Sequence, residues 1–103
     1  MAWFAVRSIY LFGQKADGTN VFEERVVCFQ AESADAAHDK AKLESERYAA
    51  DHGFEVFPER EGYEQDGDSL IDGYEVWSVL FESRDSLSDF YAARYTKYDY
   101  KPE

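Results

Sequence analysis

Hydrophobic and polar positions along this chain fall into four strand-like runs and two helical stretches. In the first run, about residues 3–12, Trp3, Ala5, Ile9 and Leu11 point one way and Phe4, Val6, Tyr10 and Phe12 the other. A half-buried strand alternates apolar with polar side chains. This one is apolar on both sides, so both faces of its sheet need cover. Residues 15–20 supply a turn in which Asp17-Gly18 favours positive φ. The second run, about residues 21–31, is rich in β-branched and aromatic residues. Ser33 then stands as an N-cap, with Asp35 in the first turn against the positive end of the helix dipole. A helix is predicted from Ala34 to about Asp51, with Ala37, Ala41, Tyr48 and Ala34 as a narrow apolar stripe. Gly53 is placed to end it.

The second half repeats the order. Residues 54–63 read as a third strand, at an edge or bulged because Pro58 lacks a ladder donor. Residues 64–73 form a polar loop with two Asp/Gly turn signals. The fourth strand is predicted over residues 74–83, with Glu75, Trp77, Val79 and Phe81 on one side and Tyr74, Val76, Ser78 and Leu80 on the other. Ser86 caps a last helix, with Asp89 as a weaker form of the capping-box acid. Along it Leu87, Phe90, Tyr91, Arg94, Tyr95 and Tyr98 keep helical spacing. The passage Val26-Val27-Cys28-Phe29 to Ser33 matches Val79-Leu80-Phe81-Glu82 to Ser86 at a constant offset. A shared strand-cap-helix logic produces such a match without duplication.

The order β-β-α-β-β-α predicts an α+β two-layer sandwich: a four-stranded, mainly antiparallel sheet with two helices on one face. At 103 residues the chain is expected to be a single domain, 1–103. The outer sheet face is polar where it meets water, yet here the first and fourth strands carry aromatics on both sides. Either that face is a dimer or partner interface, or strong twist or the long loop covers it.

Charge narrows the partner class. With 45% hydrophobic and 17% aromatic residues the chain is not disordered, but it carries a net charge of −11. That charge repels nucleic-acid phosphates and anionic membranes, and steers a cationic partner. It also serves plain solubility. Residues 55–89 hold eleven acids and only Arg60 and Arg84 as bases. Within this stretch Tyr63, Glu64, Asp66, Asp68, Asp72, Tyr74 and Glu75 form the candidate partner-binding set, two tyrosine anchors bracketing an acidic loop. The plainer account is a solvated acidic loop. Asp66, Asp68 and Asp72 have the oxygen chemistry for calcium, but Gly67 follows one residue after the first acid and no bidentate Glu occupies the twelfth position.

Cys28 is the only cysteine, so no internal disulfide or cysteine-based metal site is expected, and it reads as a small core residue. His38 and His52 lie about four turns apart on one helix, too far to share a metal. The chain has no Gly-rich phosphate loop and no paired-His motif. No cofactor, metal or catalytic residue is expected. The absence of a basic-then-apolar leader and of an apolar run of about 20 residues gives a cytoplasmic expectation.

The opening Trp3-Phe4-Ala5-Val6-Arg7, the segment Phe22-Glu23-Glu24-Arg25-Val26-Val27, the helix start Ala31-Glu32-Ser33 and the run Tyr74-Glu75-Val76-Trp77 together resemble a small bacterial family, the domain of unknown function 4288. The resemblance spans nearly the whole chain. It rests on strand aromatics and a helix cap, and implies no catalytic residues. The expected function is a non-enzymatic acidic protein-binding module, most concretely an immunity-type inhibitor of a cationic toxin or enzyme. The alternatives are a dimeric small-molecule-binding protein or enzyme with a sheet-helix pocket, and a structural or assembly module. A homodimer through the sheet face is a further expectation.

Overall fold

The computed structural model of the chain describes residues 1–65, 73, 76–77, 80 and 82–96. Strands β1 (Ala2–Gln14) and β2 (Asn20–Ala31) form a long antiparallel hairpin. Its turn is closed by Lys15 N donating to Thr19 O at 2.8 Å and Gly18 N to Lys15 O at 3.0 Å. Gly18 takes φ 90°, a conformation that favours glycine. Asp17 Oδ1 accepts from Thr19 N at 2.9 Å, and hydrogen bonding from the Thr19 side chain first, then from this N–H, holds the Asp17 carboxyl below its ordinary value. Register runs without interruption from Ala2 opposite Ala31 to Leu11 opposite Phe22, then slips by one residue at Phe12.

Helix α1 (Ala34–His52) starts and ends on the residues the sequence marks. Ser33 Oγ accepts from Ala36 N at 3.1 Å, and Gly53 at φ 72° ends the helix, with Phe54 N donating to Ala49 O at 2.8 Å. The inner stripe is Ala37, Ala41, Ser45 and Ala49, one residue per turn. Tyr48 is half-buried beside the stripe, and Ala34 is exposed. Small side chains let α1 lie close to the sheet, where Phe4, Val6, Ala31, Ala37 and Ala41 make the core.

The predicted third strand exists but is broken where Pro58 implies. Strand β3 (Glu55–Val56) and strand β4 (Glu61–Glu64) both pair antiparallel with β1, on the side away from β2. Tyr10 pairs with Val56 but Arg7 with Glu61, so three steps along β1 are met by five on its partner. The surplus bulges out around Pro58. Among the described residues the sheet is four-stranded and antiparallel, with its third and fourth strands drawn from one predicted segment. Most of residues 74–83, the predicted fourth strand, lie outside the described residues. Val76, Trp77, Leu80, Glu82 and Ser83 carry no strand pairing.

Helix α2 (Leu87–Tyr91) is capped by Ser86, whose Oγ accepts from Asp89 N at 3.2 Å, and runs on into a π-helical turn, Ala92–Thr96. Among the described elements α1 packs on the sheet, whereas α2 packs against this continuation. Among the described residues the two halves are unlike in build: a long hairpin and long helix first, short strands and a short helix after.

Candidate functional site: the open face of the sheet

Pairing register assigns every strand residue to a side. Phe4, Val6, Ser8 and Tyr10 of β1, with their partners Phe29, Val27, Arg25 and Glu23 on β2, face α1. The opposite, open face carries five rows across β2, β1 and the β3–β4 edge. These are Phe22, Leu11 and Glu55; Glu24, Ile9 and Phe57; Val26, Arg7 and Glu61; Cys28, Ala5 and Tyr63; and Gln30, Trp3 and Gln65. Phe57 joins the second row because its N–H donates to Ile9 O at 2.8 Å, and Gln65 the last because its N–H donates to Trp3 O at 2.9 Å.

The middle of this face is a charge network. The Arg7 guanidinium meets Glu61 at 2.8 Å and Glu24 at 3.9 Å, and stands 5.6 Å from the centre of the Trp77 ring. Trp77 also lies 5.9 Å from the Tyr63 ring. Buried Gln65 reaches the same segment, Nε2 donating to Val76 O at 3.4 Å. Ala5, beside Arg7 and Tyr63, is fully buried although it points to the open side. Residues 76–77, from the segment predicted as the fourth strand, thus lie over one end of the face.

The other end is bare. Phe22 is 65% exposed, Phe57 55% and Val26 40%. Between them lie half-buried Ile9 and Leu11, and around them the exposed carboxylates of Glu24, Glu55, Glu59 and Glu61. The bulge at Pro58 opens a cleft of about 410 Å³ here, lined by Arg7, Ile9, Phe57, Glu59, Arg60 and Glu61. Arg60 is occupied internally, Nε donating to Ser45 Oγ at 2.8 Å and an Nη to Pro58 O at 2.9 Å.

Of the candidate partner-binding residues, Tyr63 is on the open face, half-buried, and Glu64 is exposed on β4 opposite Phe4, on the helix side. Asp66, Asp68, Asp72, Tyr74 and Glu75 lie outside the described residues. Sequence reasoning passed over Arg7, Glu24, Glu61, Phe22 and Phe57. Arg7 had a signal, as the one charge inside an apolar strand. Its partners did not, because they follow from register.

A second polar cluster lies on the helix side. Arg25 grips Glu44 with two bonds of 2.9 and 2.7 Å, donates to Tyr10 Oη at 3.2 Å, and lies 3.8 Å from the centre of the Tyr48 ring. Glu44 foremost raises the proton affinity of the guanidinium. Tyr48 Oη donates to Glu23 at 2.8 Å, which pushes its phenol above the ordinary value. Tyr48 also contacts the rings of Tyr10, His52 and Phe54. With every one of these groups paired, the cluster fastens α1 to the hairpin. Among the described residues no three His, Cys, Asp or Glu side chains converge on a metal site, and no helix is long and apolar enough to cross a membrane.

One family model, described as a domain of unknown function (DUF4288), matches residues 3–56. That range is the hairpin, α1 and the start of the edge strand, which includes the β1 and β2 rows of the open face. No curated protein and no solved structure matches the chain.

Proposed function

The chain belongs to the domain of unknown function DUF4288 family, and from that premise we propose that it is a non-enzymatic, acidic protein-binding module whose open sheet face receives a cationic protein surface. The observation that carries this is the bare end of that face, where Phe22, Val26 and Phe57 are exposed inside a ring of glutamates. Apolar anchors within a rim of one charge suit a partner with basic residues around an apolar centre. The chain's net charge of −11 steers such a partner toward it. The most concrete form is an immunity-type inhibitor that occludes a basic toxin or enzyme, with the acidic segment around Asp66, Asp68 and Asp72 adding to the field.

The cleft beside Pro58 favours a second reading, a small-molecule site. Both its arginines already hold internal partners, which leaves less for a ligand and makes this the weaker reading.

The test is to recover a partner from native lysate, identify it, and measure its association rate with the purified chain. The expected partner is basic, its on-rate falls at least about tenfold from low to high salt, and Phe22→Ser with Phe57→Ser speeds its release. Recovery of no basic partner, or an on-rate indifferent to salt, overturns the proposal.

A further inference from the structure

We infer that the chain pairs with a second copy of itself, β2 against β2 in antiparallel register about Glu24, so that the bare ends of two open faces join into one docking patch. The joined patch follows on reading the open face as a docking surface; the pairing itself stands apart from any external partner.

β2 is the outer strand of the sheet. On β1, Trp3 O and Ile9 O accept bonds from the β3–β4 side. The odd residues of β1 up to Leu11 therefore turn their main-chain groups that way, and its even residues turn theirs toward β2. Antiparallel pairing sets the odd residues of β2 against those even ones, which turns the N–H and C=O of Phe22, Glu24, Val26, Cys28 and Gln30 outward. Lys40 Nζ donates to Gln30 O at 2.6 Å and closes that end. From Phe22 to Cys28 the outward groups have no partner among the described residues. Folded proteins blunt such an edge with proline, lysine, a bulge or a short strand. This stretch has none of them.

The edge is self-complementary. A two-fold pairing about Glu24 sets Phe22 opposite Val26 of the second copy on the open side. On the helix side it sets Glu23 opposite Arg25 and Val21 opposite Val27, and each of these pairs occurs twice. Aromatic–β-branched and opposite-charge pairs are the kinds that stabilise a sheet. The one adverse pair is Glu24 against Glu24 at the axis, where each keeps its own Arg7 at 3.9 Å. Centring on Arg25 sets arginine against arginine, and centring on Val26 sets Glu23 opposite Phe29 and Glu24 opposite Cys28.

The helix layer selects the same centre independently. Lys40, Glu44 and Tyr48 reach Gln30, Arg25 and Glu23, so α1 runs antiparallel to β2, and Glu24 lies level with the stretch between Glu44 and Tyr48. The flank that makes these contacts continues at helical spacing to Arg47 and Asp51, both exposed. Turned about the midpoint of Glu44 and Arg47, it sets Lys40 against Asp51 and Glu44 against Arg47 of the second copy. That midpoint is level with Glu24. Because α1 packs on both β1 and β2, strands about 4.8 Å apart bring the two copies of α1 to about 10 Å, an ordinary spacing for packed helices. On the other side of the sheet, Phe22 and Val26 of both copies then surround the axis, and the second copy completes the docking patch.

Sedimentation equilibrium is expected to show a monomer–dimer equilibrium that Val26→Glu weakens about tenfold. Asp51→Lys is expected to weaken it about threefold, and Lys40→Glu with Asp51→Lys to restore it. All three positions are exposed, and an unchanged circular dichroism spectrum confirms the fold. In a Cys28→Ser background, Glu24→Cys brings its two copies face to face at about 5.5 Å between Cα atoms and is expected to give a disulfide-linked dimer on mild oxidation. Val26→Cys, with its copies about 13 Å apart along the strands, is expected to link far less. A monomeric mass at every concentration overturns the pairing. Val26→Cys linking as well as Glu24→Cys, or a double variant that fails to recover, overturns the assigned centre. None of these readouts uses the basic partner, so failure here and failure of the binding-module reading are separate results.

Discussion

His38 of α1 stands against Gly62 of β4: a Cβ at position 62 would lie 3.0 Å from His38 Nε2. Gly62 is opposite Val6 on the helix side of the sheet, and the imidazole fills the space a side chain would take. Two opposed effects decide Gly62→Ala. Restricting the unfolded chain stabilises by about 0.4–1 kcal/mol, while crowding a packed ring costs about 1–3 kcal/mol. Gly62→Ala is therefore expected to lower stability by about 1 kcal/mol with His38 present. In a His38→Ala background it is expected to raise stability by about 0.5 kcal/mol. Urea denaturation of the four proteins in this cycle reads the change of sign; additivity would mean the two residues do not compete for space.

Arg25 and Glu44 tie the hairpin to α1 through a planar fork that lysine cannot reproduce. Arg25→Lys keeps the charge but loses the second bond to Glu44 and the stack on Tyr48. The partly exposed position limits the loss to about 1 kcal/mol. Arg25→Met is expected to cost more, because Glu44 and Tyr10 Oη then both lose a donor. Urea denaturation at low and high salt checks both, and the stability gap between the parent and Arg25→Met is expected to narrow at high salt.

How much of this was legible in the sequence depends on the range of the interaction. Ser33 and Gly53 bound α1 because capping is a local matter of one side chain and one φ angle, and the predicted helix ends within a residue of the observed one. Pro58 marked the broken edge strand because a missing N–H is a local fact. Ser45 was invisible as a core residue. Its burial is tolerated only because its hydroxyl donates to Lys42 O and accepts from Arg60, which is fifteen residues away. The Arg7–Glu24–Glu61 network needs the register of three strands, and no single segment encodes that. Two-sided apolarity in β1 did signal cover on both faces, and α1 with Trp77 supplies part of it.

Tyr48 sets a pH dependence. Its phenol donates to Glu23, so its folded value lies above the ordinary 10.0. A raised value means the folded state holds this proton more tightly than the unfolded chain. The contribution is therefore complete below pH about 10 and is lost as pH rises through the folded value. Tyr48→Phe lacks it throughout. The difference in melting temperature between the parent and Tyr48→Phe is expected to be constant from pH 7 to about 9 and to shrink above about 10. A difference that grows with pH would place Tyr48 in another bonding state.

Arg7 is the keystone of the open face. Removing its guanidinium leaves Glu61 and Glu24 facing one another across β1 with no cation between them, on a chain already at −11. It also removes the cation beside the Trp77 ring. Like-charge repulsion and a lost cation–π interaction each act at a partly exposed site, so Arg7→Ala is expected to destabilise by about 1–2 kcal/mol. The same change takes the guanidinium away from Trp77 and leaves the Tyr63 ring beside it. With Trp3→Phe as background, Trp77 becomes the single tryptophan, and its emission is expected to shift red on Arg7→Ala while far-ultraviolet dichroism holds. Arg7→Lys separates the two effects: it restores a charge between the glutamates and recovers most of the stability, but not the guanidinium beside the Trp77 ring, so the emission stays shifted. Emission that does not move in either variant would show that Trp77 is held by Tyr63 and the Gln65–Val76 bond alone.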